Sequence, residues 1–264
     1  MHSLLRRSDI AQPSGDTAVN YAVFLSFDGT AYCGWQVQKN GISIQQTVQD
    51  AAEKVFGLRP DVTGCSRTDS GVHAREYLCV IKGVPEIPAE AVPLALCSVL
   101  PPDIAATSAA PVPDSFHPRY DCRAKEYEYV IWNSKIKNVF DSRAWHCPKP
   151  LDETKMASLA RAFTGKHDFS SYMAAHGKIK DTVREIKYFN VTRRGEYVIL
   201  NVAADGFLYN MVRIMVGTLV HAAYGRTGLS IERITEARDR SLAGPTAPAK
   251  GLFLNRLFYD EELK

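Results

Sequence analysis

Over residues 19–27 (VNYAVFLSF) apolar and polar side chains alternate in a run rich in β-branched and aromatic residues, the pattern of a strand with one buried face. Asp28-Gly29-Thr30 follows as a turn. The period then changes. Over residues 43–56, Ile44, Val48, Ala51 or Ala52, and Val55 fall on one side of a helix. Ser43 and Gln46 stand at capping-box spacing at its start. Residues 64–74 are polar, contain glycine and show no period, so they read as a loop. Residues 77–81 predict a second strand, and residues 89–100 a short helix ended by Pro101-Pro102.

Pro111 and Pro113 mark a linker. Beyond it, residues 123–133 (RAKEYEYVIWN) predict a long strand. Residues 152–163 predict an amphipathic helix capped by Asp152 and ended by Gly165. Residues 183–192 and 197–204 are strands joined at Arg194-Gly195, a hairpin signal. Residues 207–223 predict a helix that is apolar almost all round. A short helix over 231–238 and a strand over 251–259 complete the chain. Strands and helices do not alternate as regular βαβ units. The order therefore predicts an α+β fold, two similar halves of antiparallel sheet with helices packed on it. The boundaries implied are a flexible tail over 1–17, one α+β domain over 18–113 and a second over 114–264.

Composition changes this picture little. Apolar residues are 45% of 264 and charged residues 23%, enough for a sizeable core under a soluble surface. No apolar run reaches transmembrane length, and the first residues lack the continuous apolar core of a secretory signal. The six cysteines include no C-x-x-C pair, which argues against a zinc site and reads as reduced thiols in the cytoplasm. The net charge of +3 does not by itself announce nucleic-acid binding. Residues 161–187 concentrate six Lys/Arg against three Asp/Glu, with His167 and His176; this stretch could face phosphates or simply solvent.

Three segments carry candidate chemistry. The loop Gly64-Cys65-Ser66-Arg67-Thr68-Asp69-Ser70-Gly71-Val72-His73-Ala74 sets Arg67, Asp69 and His73 between two strands. Loops placed by rigid strands often carry function, although an Asp in a polar turn also serves by accepting backbone N–H groups. Arg213 lies in the apolar helix, where its guanidinium must either meet a carboxylate or extend to water. On the strand over 123–133, Tyr127 and Tyr129 share one face and Glu126 and Glu128 the other. Such tyrosines either stack a nucleobase or fill a core.

Taken in order, these segments resemble one known family. GCSRTDSGVHA is similar to the G-R-T-D-A-G-V-H-A signature of the TruA family of tRNA pseudouridine synthases, with Ser70 where alanine is usual and Ser66 as a mild variant before Arg67. Asp28-Gly29-Thr30 with Tyr32, Gly34-Trp35-Gln36 and Gln45 resembles that family's first strand, turn and helix. Arg123-Ala124-Lys125-Glu126-Tyr127 is similar to its R-x-Y strand. Phe169-Ser170-Ser171 and Val183-Arg184-Glu185-Ile186 look like its middle segment. Phe207-Leu208-Tyr209-Asn210-Met211-Val212-Arg213 matches F-L-x-x-M-V-R, and Ala247-Pro248-Ala249-Lys250-Gly251-Leu252 matches A-P-x-x-G-L. The resemblance spans residues 20–259.

It implies the pseudouridine synthase fold, with the active-site cleft between the two halves. It implies isomerisation of uridine to pseudouridine at positions 38, 39 and 40 of the tRNA anticodon arm, with no cofactor and no metal. Asp69 would be the essential carboxylate, acting as nucleophile or as base, and Arg213 would keep it ionised by lowering its pKa. Tyr127 would stack on the uracil and assist loss of the C5 proton. Leu252 would pack on the other side of the base, and Arg67 would enter the RNA where the target nucleotide has left. The resemblance also implies a homodimer, tRNA as partner, and a cytoplasmic location. Two rivals remain from the residues themselves. A non-catalytic RNA-binding module would not need Asp69, Tyr127 and Arg213 together. A glycoside hydrolase would need a carboxylate pair flanking one bond, where the signature loop offers one acid.

Overall fold

The computed structural model describes residues 18–39, 41–175 and 181–259; the expected tail over 1–17, and His176 with its neighbours to residue 180, lie outside them. The alternating run at the start becomes β1 (Ala18–Phe27), whose inward side chains Tyr21, Val23 and Leu25 are fully buried. Then come α1 (Ile44–Phe56), β2 (Val62–Gly64), β3 (His73–Pro85), α2 (Ala91–Cys97) and β4 (Ile104–Val112). Ser43 Oγ accepts from Gln46 N at 3.2 Å, which satisfies one of the unpaired N–H groups at the start of α1.

After these, β5 (Ala124–Trp132), β6 (Trp145–His146), α3 (Glu153–Ala160), β7 (Gly165–Asp168), β8 (Val183–Arg194), β9 (Tyr197–Ala204), α4 (Met211–Ala223), α5 (Ile231–Ala237) and β10 (Leu252–Phe258) follow in chain order. Asp152 caps α3, accepting from Lys155 N at 2.9 Å. The predicted hairpin is present as β8 and β9, closed between Arg194 and Tyr197.

All the strands form one sheet in the order β4-β1-β3-β10-β5-β9-β8-β7, with β2 added to β3 and β6 to β5. The α+β class is as expected. The sheet, however, is not purely antiparallel: β10 runs parallel to β3 and β6 parallel to β5. The last strand of the chain thus inserts between β3 and β5. It pairs Phe253 and Leu254 with His73 and Ala74 on one side, and Leu252 to Phe258 with Tyr129 to Ala124 on the other. The long stretch from β3 to β10 supplies the crossover that their parallel pairing needs.

The short strands β2, β6 and β7 stand where the sequence pattern marks none, and three further elements differ from it, each for a local reason. Residues 104–112, where no element is predicted and Pro111 marks a linker, form β4, with Pro111 paired opposite Tyr21. Its run of alanines and small polar residues has little strand propensity, and Pro111 is tolerated because β4 is the sheet's edge. β3 begins at His73, inside the expected loop, and its polar residues find partners: Arg75 with Glu128 at 2.6 Å, and Glu76 accepting from Leu257 N at 2.8 Å. The apolar helix starts at Met211 rather than at 207, because Asn210 sits in the left-handed region at φ 60°. That frees Phe207 and Leu208 to line a cleft. Among the described residues, no helix is long and apolar enough to cross a membrane.

Candidate active site

The loop from β2 to β3 carries Asp69, and backbone hydrogen bonds hold it against the segment before α1. Trp35 N donates to Thr68 O at 3.2 Å, Gly71 N to Tyr32 O at 3.3 Å, and Val72 N to Asp69 O at 3.2 Å. Two glycines permit the approach. Gly34 has φ +100°, and a Cβ there would lie 2.5 Å from Thr68 O; a Cβ on Gly29 would lie 1.9 Å from Val72 O. From the other end of the loop, buried His73 contacts Asp28 at 3.0 Å and the Lys250 carbonyl at 3.1 Å. The catalytic-type loop is therefore tied to the segment that leads into Leu252.

The Asp69 carboxylate receives no backbone N–H among the described residues, so its side chain is not spent on the turn. Its partner is Arg213, Nη1 to Oδ2 at 3.7 Å. At that distance the two do not form a bidentate hydrogen-bonded pair. Arg213 Nε instead donates to the Ala247 carbonyl at 2.8 Å, and Nη1 to Asn210 Oδ1 at 2.7 Å. These contacts pin the guanidinium and leave one edge toward Asp69. Burial pushes the Asp69 carboxyl above the usual aspartate value, and the Arg213 charge only partly opposes that rise. The net direction is opposite to the lowering expected from the sequence. Desolvation outweighs one cation at 3.7 Å that is itself shared with two other oxygens.

Asp69 opens into a cleft of about 1040 Å³ whose walls include Arg67, Lys125, Tyr127, Phe207 and Leu252, together with Met211 and Val212 beside Arg213. Tyr127, at the middle of β5, is 7% exposed, with its ring met edge-on by Phe207 at 5.1 Å. Its hydroxyl lies 3.3 Å from Ser66 Oγ. Burial and the nearby Asp69 charge raise the phenol's pKa well above its usual value, so it stays protonated. Leu252 is 5% exposed at the start of β10, opposite Tyr129. Arg67 is exposed on the rim and makes no ion pair among the described residues.

The fold thus brings Asp69, Tyr127, Leu252 and Arg67 to one cleft, with Arg213 beside it through its contact with Asp69. It adds Asn210, Ser66, Phe207 and Lys125, which the sequence reading passed over. Only the spacing of Asn210 three residues before Arg213, one helical turn, signalled a contact in advance. A half-buried, half-paired carboxylate near a protonated tyrosine, in a cleft of this volume, suits attack on, or proton removal from, a sugar with the base held alongside.

Comparison with known proteins defines the class. A family model described as tRNA pseudouridine synthase matches residues 23–121 and 159–260. The chain belongs to the tRNA pseudouridine synthase family, and is an isomerase of that class. Within it, the relatives are proteins named tRNA pseudouridine synthase A, which places the chain in the TruA group. That of Moorella thermoacetica is 44% identical over 243 residues, covering 90% of this chain and 98% of the relative. That of Clostridium acetobutylicum is 41% identical over 242 residues, covering 91% and 99%. A solved Cbf5–Nop10–Gar1 complex aligns with 89% of this chain and 57% of its own at 14% identity and a TM-score of 0.40.

Proposed function

We propose that this enzyme isomerises uridine to pseudouridine at positions 38, 39 and 40 of the tRNA anticodon arm, with Asp69 as the group that acts on the sugar. The C1′–N1 bond breaks, the uracil turns, C1′ joins C5, and the C5 proton leaves while N1 gains one. Atoms and electrons balance with nothing consumed. The reading is carried by the Asp69 carboxylate, which lines the cleft with a guanidinium at 3.7 Å and, among the described residues, no backbone donor. A carboxylate spent on a turn would accept backbone N–H groups instead.

In this reading Tyr127 and Leu252 hold the uracil between them, Arg67 enters the RNA in place of the turned-out nucleotide, and Arg213 keeps enough Asp69 ionised to react. Turning the nucleotide out costs a few kcal/mol, and stacking on an aromatic returns about 1–3 kcal/mol. Phosphate contacts and Arg67 supply the remainder. The protein acts in the cytoplasm as a homodimer, whose two-fold axis doubles the surface offered to tRNA. Sedimentation at assay concentration checks the assembly, where an active monomer rules the dimer out. Pseudouridine mapping of tRNA treated with the wild-type and Asp69→Asn proteins tests the activity. New pseudouridine at 38–40 with wild type only is expected; modification elsewhere overturns the positional assignment.

A further inference from the structure

Lys125 precedes Tyr127 by two residues on β5, so both side chains project from the same face of the strand. Both line the cleft, and so do Arg119 and Tyr120 at its rim. A lysine inside a cleft normally answers a carboxylate or carries its ammonium out to water. Lys125 has no carboxylate to answer: it is half-buried in the cleft wall, and among the described residues its ammonium makes no ion pair and no hydrogen bond. Burial lowers its pKa, and the groups that act on it are the thiols of Cys65 and Cys122 and the like charge of Arg119. The Asp69 charge is felt at Tyr127, whereas no carboxylate is among the groups acting on Lys125. One cleft therefore holds Asp69, with Arg213 beside it, Tyr127, and two cations, Lys125 and Arg119, that make no ion pair among the described residues.

Two like charges lining one groove, near enough to act on each other, are unfavourable until an anion arrives. An RNA strand brings one negative charge with each nucleotide. We propose that Lys125 and Arg119 form a subsite for one phosphodiester of the bound RNA, on the wall of the cleft that Lys125 shares with Tyr127. Arg119 is exposed and meets the strand first; Lys125, deeper, fixes its register against the tyrosine. The subsite rests on the reading of this cleft as the RNA site and adds to it a residue pair that positions the strand without touching the reacting atoms.

The test measures affinity for an unmodified tRNA transcript at several salt concentrations, alongside the single-turnover rate at saturating tRNA. Lys125→Met is expected to weaken binding about tenfold and to make the plot of log affinity against log salt shallower by about 0.7–0.9, the loss of one phosphate contact. Lys125→Arg should keep the wild-type slope. Arg119→Met, at an exposed position, should show the same shallower slope and stands as the readout if Lys125→Met does not fold. A neutral methylphosphonate at a single linkage of an anticodon-arm hairpin should weaken wild type and leave Lys125→Met unaffected. An unchanged slope in both methionine variants overturns the subsite. So does a Lys125→Met protein with normal affinity and slope but a slow single turnover, which would assign the ammonium to the departing uracil. Asp69→Asn separates the two readings: if it still makes pseudouridine, the assignment of Asp69 fails, while a slope lost at Lys125 continues to report a phosphate.

Discussion

Asp69 Oδ2 lies 3.7 Å from Arg213 Nη1, while the same guanidinium is held at 2.8 Å by the Ala247 carbonyl and at 2.7 Å by Asn210. Arg213 is thus fixed by other partners before it meets the carboxylate. Its charge lowers the Asp69 pKa against a larger rise from burial.

Removing that charge should move Asp69 further up. In the proposed reaction Asp69 acts in its ionised form, so activity should fall as pH drops through the Asp69 pKa. Arg213→Met should therefore shift the acid limb of the pH–rate profile to higher pH and lower the neutral-pH rate by about tenfold or more. Arg213→Lys keeps the charge but loses the planar fork that reaches Ala247 and Asn210 together, so it should recover only part of the rate. Single-turnover rates across pH decide the matter; an acid limb that stays in place in Arg213→Met removes this role from the arginine.

Asp69 itself should show opposite effects on activity and stability. Asp69→Asn is expected to abolish turnover while tRNA affinity survives, because phosphates dominate binding. In the folded protein the Asp69 pKa lies above its ordinary value of 3.8. Its contribution to stability is then fully present below that ordinary value and is lost as pH rises through the raised one. At neutral pH the ionised carboxylate opposes folding, so Asp69→Asn should melt at or above the wild-type temperature. The difference should close as pH falls below the ordinary aspartate value. A neutral-pH melting temperature well below wild type would show that the Arg213 pair outweighs desolvation.

Much of the scaffold is legible in the chain because period and caps agree locally. Ser43 opens α1 and Asp152 opens α3 where their residue types predict, and Tyr127 lies inward on its strand as alternation requires. What fails to show is set by distant partners. β4 is held by pairing with β1 rather than by its own alanine-rich sequence, and β10 reaches the centre of the sheet by a crossover that no local pattern encodes. The site divides in the same way. The resemblance of GCSRTDSGVHA to its family pointed to Asp69. The direction of its pKa shift depended on burial and on the sharing of Arg213 among three oxygens, which residue types cannot express.

The loop's position rests on Gly34. Its φ of +100° is unfavourable for any residue with a side chain, and a Cβ would lie 2.5 Å from the Thr68 carbonyl, next to Asp69. Gly34→Ala should cost about 1–3 kcal/mol in urea unfolding and lower activity by more than the unfolded fraction explains, since relief of the clash displaces Thr68 and Asp69. Gly57, with φ +74° and nothing within 4 Å of an added Cβ, supplies the comparison: alanine there strains the backbone away from the site. Equal activity per folded molecule in both variants would separate the loop's position from catalysis.

Tyr127 tests the chemistry most finely, because one side chain combines a ring and a hydroxyl. The hydroxyl lies 3.3 Å from Ser66 Oγ. Burial and the Asp69 charge keep it protonated, so it does not wait as a tyrosinate base. A protonated phenol can still relay: it hands its proton on as it takes one from C5. Tyr127→Phe keeps the ring and the Phe207 contact, and removes only that relay. Tyr127→Ala removes both and leaves a cavity costing about 3–5 kcal/mol. If the ring alone matters, Phe is near wild type and Ala is poor. If Tyr127 is simply a core residue, Phe is fully active and Ala loses activity in proportion to its lowered melting temperature. The arrangement beside Asp69 favours a third pattern. Tyr127→Phe should bind tRNA normally, melt normally, and turn over about 10²–10⁴-fold more slowly in a single turnover. The slow phase should follow glycosidic cleavage, since the C5 proton leaves only after C1′ has joined C5. Full single-turnover activity in a stable Tyr127→Phe enzyme would take the hydroxyl out of the mechanism and leave Tyr127 as the wall on which the uracil rests.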